Sequence, residues 1–482
     1  MAILDESSVP PLAAPRPPQE RMGLWQFLRT VRDSSIATFP VEAYEQDILP
    51  RKLLWRRTFI VNEPQAIKHV LLDNVSNYVR ADIGRRLLEP GLGRGLLTSE
   101  GERWRRHRRI MAPSFDHRSI IGYAPIMTEI ASGLADQWDR MPDGAEIDIA
   151  AAMMHATLHI ISRAMFSSDS DDIVDTVERG VSRYQNSVRP GLIDLLGAPD
   201  WLARLANPRR GRGILNEFDR SIDRLLAARE HAGEEQLKDL LVRLIAARDE
   251  ETGGGMTAQE VRDQVVTIFM AGHETTALAM TWTWYLLSQH PAQEAKLHAE
   301  LDAVLAGRPP RHEDIARLPY ARMVIEESMR LYPPAHTISR QAIHEDHVLG
   351  HRIPPGAAVI MAPWLLHRKP SLWENPQRFD PERFSPERSA TRHRFAYIPF
   401  GAGPRICIGM AFAMAEAVLI LATIAQRYRF RLSPGHPVEP QGLITLRPRH
   451  GMRMQLRRRR WPSFRRAPAS GAGQAPAQAR NP

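Results

Sequence analysis

Residues Phe400–Gly409 read FGAGPRICIG and contain Cys407, the only cysteine in a chain of 482 residues. A thiol kept for packing normally sits on a helix or strand and behaves as a small, inert hydrophobe. Here Gly401, Gly403 and Gly409 bracket it, Pro404 stiffens the approach, and the apolar run from Met410 to Ile420 reads as a helix. Cys407 is therefore expected where a loop enters a helix N-terminus, where unpaired N–H groups and the positive end of the dipole favour a thiolate. A single cysteine also excludes a disulfide framework and a CxxC zinc site, leaving either bland core or a reactive or ligating sulfur. Such usage suits a reducing, cytoplasmic compartment.

The formal charge of +9 suggests nucleic acid until it is located. Ten arginines and no acid lie between Arg447 and Pro482, so +9 less ten leaves −1 on residues 1–446. Residues 457–482 read as a basic, Ala/Pro/Gly-rich disordered tail, and no nucleic-acid partner is expected. Residues 1–39 read as a proline-rich leader with early acids and no positively charged start before an apolar run, so neither signal peptide nor anchor is expected. Within it, GLWQFL, Gly23 to Leu28, could touch a membrane surface, but simple packing is the favoured reading.

Between these ends, residues 40–456 carry a long helical pattern with few strand signals. RTFIVN, Arg57 to Asn62, is one candidate strand, and Val348 to Pro363 looks like a hairpin turned at Pro354, Pro355 and Gly356. Thr257 followed by Glu260 makes a capping box that opens a helix from about Ala258 to Ser288. That helix is long and apolar enough to suggest a membrane span. His273, Glu274, Thr275 and Thr276 at its middle argue instead for a buried central helix of a large globular domain.

Further spacings carry chemistry. Glu327 and Arg330 lie three apart before the breaker Pro333-Pro334 and share a helix face, with Arg383 of PERF as a third ionic partner. Trp104 and Arg108 in WRRHR also share a face. Gly91, Gly93 and Gly95 lack the strand and βα context of a nucleotide-binding turn. HEDH, His344 to His347, has metal-like spacing but reads as a solvated polar turn.

The set FxxGxRxCxG (Phe400, Gly403, Arg405, Cys407, Gly409), AGxETT (Ala271 to Thr276), ExxR, PERF and WxxxR resembles the cytochrome P450 monooxygenases in order and separation, over roughly Pro40 to Leu456. The resemblance implies a mainly α fold with a minor β region: one large helical domain, a small sheet region and a long central helix over haem b. It implies Cys407 as the iron ligand, with Phe400, Gly401 and Gly409 around the sulfur. Trp104, Arg108, Arg340 and Arg405 fall to the haem propionates, and Ala271 and Gly272 lie near the iron on the opposite face. Glu274 and Thr275 become the catalytic acid and alcohol, with Thr275 reached through a local opening of the helix; His273 points away. Glu327, Arg330 and Arg383 become a structural cluster.

The activity so implied is insertion of one atom of dioxygen into a lipophilic substrate, such as a fatty acid, terpenoid or steroid. The pocket would draw on the loop before Gly91, Tyr184 to Leu196, Ile268 to Ala271, Ala335 to Ile338 and Leu443 to Thr445. The 75 residues after Cys407 are too few for a flavin reductase domain, so electrons are expected from a separate ferredoxin or flavodoxin with its reductase, docking near Arg105 and Arg109. A monomer without a transmembrane segment is expected. The alternatives are a peroxide-driven peroxygenase, which would not need Glu274 and Thr275, and a haem-binding gas sensor or carrier, which would not need a substrate pocket.

Overall fold

The computed structural model describes residues 12–20, 22–53, 56–167, 220 and 239–459. Helices of ten or more residues among these are α1 (Leu24–Asp33), α2 (Asp82–Leu92), α3 (Gly101–Met111), α4 (His117–Trp138), α5 (Ile149–Phe166), α6 (Ala258–Gln289), α7 (Pro291–Leu305), α8 (Pro319–Leu331) and α9 (Met410–Ala425). The strands are β1 (Ile48–Leu53), β2 (Arg56–Val61), β3 (Tyr78–Arg80), β4 (Glu146–Asp148), β5 (Ile338–Ala342), β6 (Asp346–Val348), β7 (His351–Ile353), β8 (Ala358–Met361), β9 (Tyr428–Leu432), β10 (Pro440–Gly442), β11 (Leu446–Pro448) and β12 (Arg453–Arg458).

The capping box of α6 is complete: the Glu260 N–H donates to the Thr257 hydroxyl at 3.2 Å, and the Thr257 N–H donates to the Glu260 carboxylate at 2.9 Å. Because α6 is apolar around much of its circumference, it must be covered on several sides. It packs against α5, α8 and α9, and α9 also packs on α4. Trp282 of α6 stacks on Tyr332 with centroids 4.3 Å apart, and Phe269 on Phe166 of α5 at 5.2 Å. Among the described residues α5 is the one helix long and apolar enough to cross a membrane. It lies in the core against α6.

The β part comprises a five-stranded sheet of order β1-β2-β8-β5-β3, a three-stranded sheet β4-β12-β9, and the hairpins β6-β7 and β10-β11. The turn at Pro354 to Gly356 is present, but the strands beside it do not pair with each other. β7 pairs with β6, and β8 enters the large sheet, parallel to β2 and antiparallel to β5. The sequence marks the turn; it does not specify the partner strand.

Two boundaries also move. Residues from Leu12 on belong to the fold: the Tyr332 hydroxyl donates to the Ala13 carbonyl at 2.9 Å, Ile36 and Phe39 are buried, and Arg449 pairs with Asp33. The described part of the segment read as a leader is thus anchored to the central core. At the other end β12 runs through Arg458, and the Arg459 guanidinium meets the Asp302 carboxylate at 2.7 Å, so the fold passes the expected limit at residue 456. The remainder of the expected tail lies outside the described residues.

Candidate functional site

The loop before α9 is shaped by contacts that only glycine allows. Gly403 has φ +70°, and a Cβ there would stand 1.9 Å from the Leu71 carbonyl oxygen; Gly401 has φ +72°. The Cys407 N–H closes the loop by donating to Phe400 O at 2.9 Å, and Gly409 caps α9. The sulfur lines the cavity and the residue is exposed to it. Burial pushes the Cys407 thiol up, and the Gly409 N–H and the Arg108 guanidinium pull the other way. Burial thus opposes the pull toward a thiolate that the sequence places at this helix end. Coordination to a metal ion deprotonates such a thiol outright.

Around the same cavity stands a group of arginines. Arg405 lies over the Trp104 ring at 4.3 Å, bonds Ser99 O at 3.2 Å and pairs with Glu100. Arg108 donates to Ile406 O at 2.9 Å. Arg340 on β5 sits directly opposite Arg80 on β3 in the antiparallel register, a like-charge pairing that a sheet ordinarily avoids. The Nε atoms of both are buried without a hydrogen-bond partner. Burial and the neighbours Arg340 and Arg405 pull the Arg80 guanidinium down to about 9, and burial together with Arg405 pulls Arg340 down to about 10. Glu100 opposes the shift at both. Crowded guanidiniums with buried, unsatisfied donors are a receptor for carboxylates, and haem carries two.

On α6, His273 is buried and structural: its Nδ1 bonds Phe269 O at 2.5 Å, and its carbonyl accepts from Thr157 at 2.8 Å. The Thr275 hydroxyl donates to Ala271 O at 2.8 Å, the back-bond common for threonine within a helix. No opening interrupts α6, which differs from the expectation. Glu274 is buried, and its Oε1 accepts from Thr445 at 2.8 Å and from the Arg447 guanidinium.

Every residue singled out from the sequence as cofactor-binding or catalytic lines one cavity of about 1490 Å³, Cys407 and Thr275 included. An ordinary small-molecule pocket has ~300–1,000 Å³, so this space suits a planar cofactor together with an organic guest. Its other walls are largely apolar: Ile268, Ala335, Ile338 and Leu443 stand where expected, while Leu87 and Leu88 also line it but from α2 rather than from the loop expected before Gly91. Tyr184 to Leu196 lies outside the described residues. The sequence reading missed Arg80, Glu100, the Thr445–Arg447 grip on Glu274, and the contribution of Phe27 and Val31 of α1 to the wall. The apolar pattern of GLWQFL was the available sign for α1.

Beneath the cavity, Arg330 and Glu327 are fully buried. Arg330 Nε and Nη2 bond Glu327 at 2.7 and 2.9 Å, its other donors reach the carbonyls of His367, Pro376 and Arg378, and Arg383 joins at 3.3 Å. Asp346 of HEDH is an anchor rather than a solvated turn, accepting from Tyr78 at 2.7 Å and bonding His69 at 2.9 Å. Arg109 is taken up by Asp249, at 2.8 and 3.1 Å, and Arg105 pairs with Glu102. This weakens both as a docking patch.

The family model for cytochrome P450 matches residues 15–452. Cyclooctatin synthase of Streptomyces melanosporofaciens is 37% identical over 402 residues, 83% of this chain and 86% of that one. Cyclooctat-9-en-7-ol 5-monooxygenase of the same organism is 34% identical, with 81% of this chain and 83% of that one covered. The crystal structure of the cytochrome P450DA heme domain superposes with a TM-score of 0.79 at 26% identity, covering 93% of this chain and 99% of that one. The chain belongs to the cytochrome P450 family. It is a haem-thiolate monooxygenase that uses haem b and dioxygen to insert one oxygen atom into a lipophilic organic substrate.

Proposed function

We propose that Cys407 ligates the haem iron, that Arg80, Arg108, Arg340 and Arg405 with Trp104 hold the propionate side, and that Glu274 and Thr275 deliver protons. The observation that carries this is the meeting, in one cavity, of the lone thiol with buried guanidiniums, two of which, Arg80 and Arg340, have Nε atoms without a hydrogen bond, Arg80 Nε facing Glu100 only at ion-pair distance, 3.7 Å. Bound haem supplies the activation of dioxygen, and a thiolate ligand aids it by donating electron density. Gly401 and Gly403 let the loop fold tightly enough to present the sulfur, and the Gly409 N–H bonds it and moderates its charge. Ala271 and Gly272 leave room along α6. Threonine in a helix divides between two side-chain rotamers. One rotation therefore releases the Thr275 hydroxyl from Ala271 O toward the cavity that it already lines. Glu274 next to it begins the proton route.

The substrate we propose is a terpenoid of the cyclic alkenol kind for which the Streptomyces 5-monooxygenase is named, which suits the apolar walls. Electrons come from a separate ferredoxin or flavodoxin with its reductase, and the enzyme works as a cytoplasmic monomer. The test is to add cyclooctat-9-en-7-ol to the purified ferric enzyme, follow the haem spin state, and assay turnover with a bacterial [2Fe–2S] ferredoxin and reductase. A spin-state shift and a product one oxygen heavier support the reading. A shift without turnover under ferredoxin, but with turnover under added hydrogen peroxide, would favour the peroxygenase alternative.

A further inference from the structure

Glu274 is held from outside its own helix. Thr445 and Arg447 donate to the same oxygen, Oε1. Arg447 lies on β11 and Thr445 in the bend just before it, two residues away. The hairpin that carries them is itself tied down. The Leu446 N–H donates to Pro334 O at 2.9 Å, the Leu446 carbonyl accepts from the Trp282 indole at 3.0 Å, and His336 bonds Leu443 O at 3.0 Å. Trp282 belongs to α6, so the helix that bears the acid also braces the hairpin that grips it. Leu443, Ile444, Thr445 and Glu274 all line the cavity.

We propose that Arg447, assisted by Thr445, is a positioning residue for oxygen activation: it fixes the Glu274 carboxylate at the cavity wall beside Thr275, and efficient proton delivery depends on that grip. The proposal rests on the reading that Glu274 begins the proton route. A buried carboxylate is held best where cation and hydroxyl donors meet it, so loss of Arg447 loosens the position that the grip sets. A carboxylate turned from that position misplaces the proton. Dioxygen with two electrons and two protons gives hydrogen peroxide; with four of each it gives two waters. The reductant is the external ferredoxin, so the share of oxygen released as peroxide reports how well protons are placed.

The experiment uses haem-loaded enzyme driven by a bacterial [2Fe–2S] ferredoxin and its reductase without organic substrate, and measures peroxide released per dioxygen consumed. Arg447→Met is expected to raise this ratio several-fold, as is Glu274→Gln. The double variant should be no worse than Glu274→Gln alone, and Arg447→Lys should restore most of the loss. Thermal unfolding of the ferric enzyme, which needs no turnover, should show the losses from R447M and E274Q to be non-additive. Should R447M bind no haem, Thr445→Val removes one donor to the same oxygen and should give a smaller rise. If E274Q raises the ratio while R447M and T445V do not, or if the effects of R447M and E274Q simply add, the positioning role is overturned. If E274Q itself leaves the ratio unchanged, the proton-route reading falls and takes the proposal with it.

Discussion

The Arg405 guanidinium rests on the face of the Trp104 indole, its central carbon 4.3 Å from the ring centroid, which joins the cysteine loop to α3. The stack leaves the guanidinium edge available, and that edge bonds Ser99 O and Glu100. Four residues along α3, Arg108 reaches the carbonyl of Ile406, the residue before Cys407. One helix face thus sets both the cation and the loop that carries Cys407.

Arg80 and Arg340 face each other across two strands and press on each other electrostatically. Arg80→Leu removes one side of that repulsion together with the proposed donor to the propionates. Haem affinity should fall roughly ten- to a hundred-fold, the value of one charge-assisted hydrogen bond. The protein stripped of haem should unfold at the same or a higher temperature. Haem transfer to a scavenger and thermal unfolding check the pair; unchanged affinity would remove Arg80 from the site.

Arg330→Ala leaves the buried Glu327 without its closest cation and three carbonyls without their donor. Breaking a buried pair in this way costs about 3–5 kcal/mol. Little haem-loaded protein should be recovered, as measured by haem absorbance per protein. Full loading would show that the cluster is dispensable.

Thr275→Ala deletes a hydroxyl that bonds Ala271 O within the same helix. Folding and haem content should therefore stay at wild-type levels, while peroxide per dioxygen rises several-fold. A ratio equal to wild type would mean that protons arrive by another path.

Glu416 of α9 is buried, and desolvation raises its carboxyl to about 8, partly opposed by the Thr276 hydroxyl. The native state then keeps a proton that the unfolded chain releases above about 4.5. This contribution to stability is full below that pH and is lost progressively up to about pH 8, on the order of 5 kcal/mol in all. Glu416→Gln should flatten the decline of unfolding temperature across this window. An unchanged slope would assign the decline to other groups.

The sequence makes legible those features whose chemistry is local. Cys407 stands out because a lone thiol among glycines has little packing value, and α6 because Thr257, Glu260 and uniform apolarity mark its start and its burial. Arg330 and Glu327 are readable from a three-residue spacing next to a proline stop. Arg80 is not, because it reaches the site only through the register of β3 against β5, which no local pattern encodes. The grip of Arg447 on Glu274 spans 173 positions and depends on where a hairpin docks. The continuity of α6 past Thr275 goes against the resemblance, since the intrahelical bond to Ala271 satisfies the hydroxyl without opening the helix.

The most direct test is the absorption spectrum of the dithionite-reduced protein under carbon monoxide, compared with that of Cys407→His. Wild type should show the strongly red-shifted Soret band of a thiolate-ligated haem, and the variant, if it binds haem, the shorter-wavelength band of nitrogen ligation. A wild-type protein, expressed with ample haem precursor, that stays colourless or shows the nitrogen-type band would contradict iron ligation by Cys407.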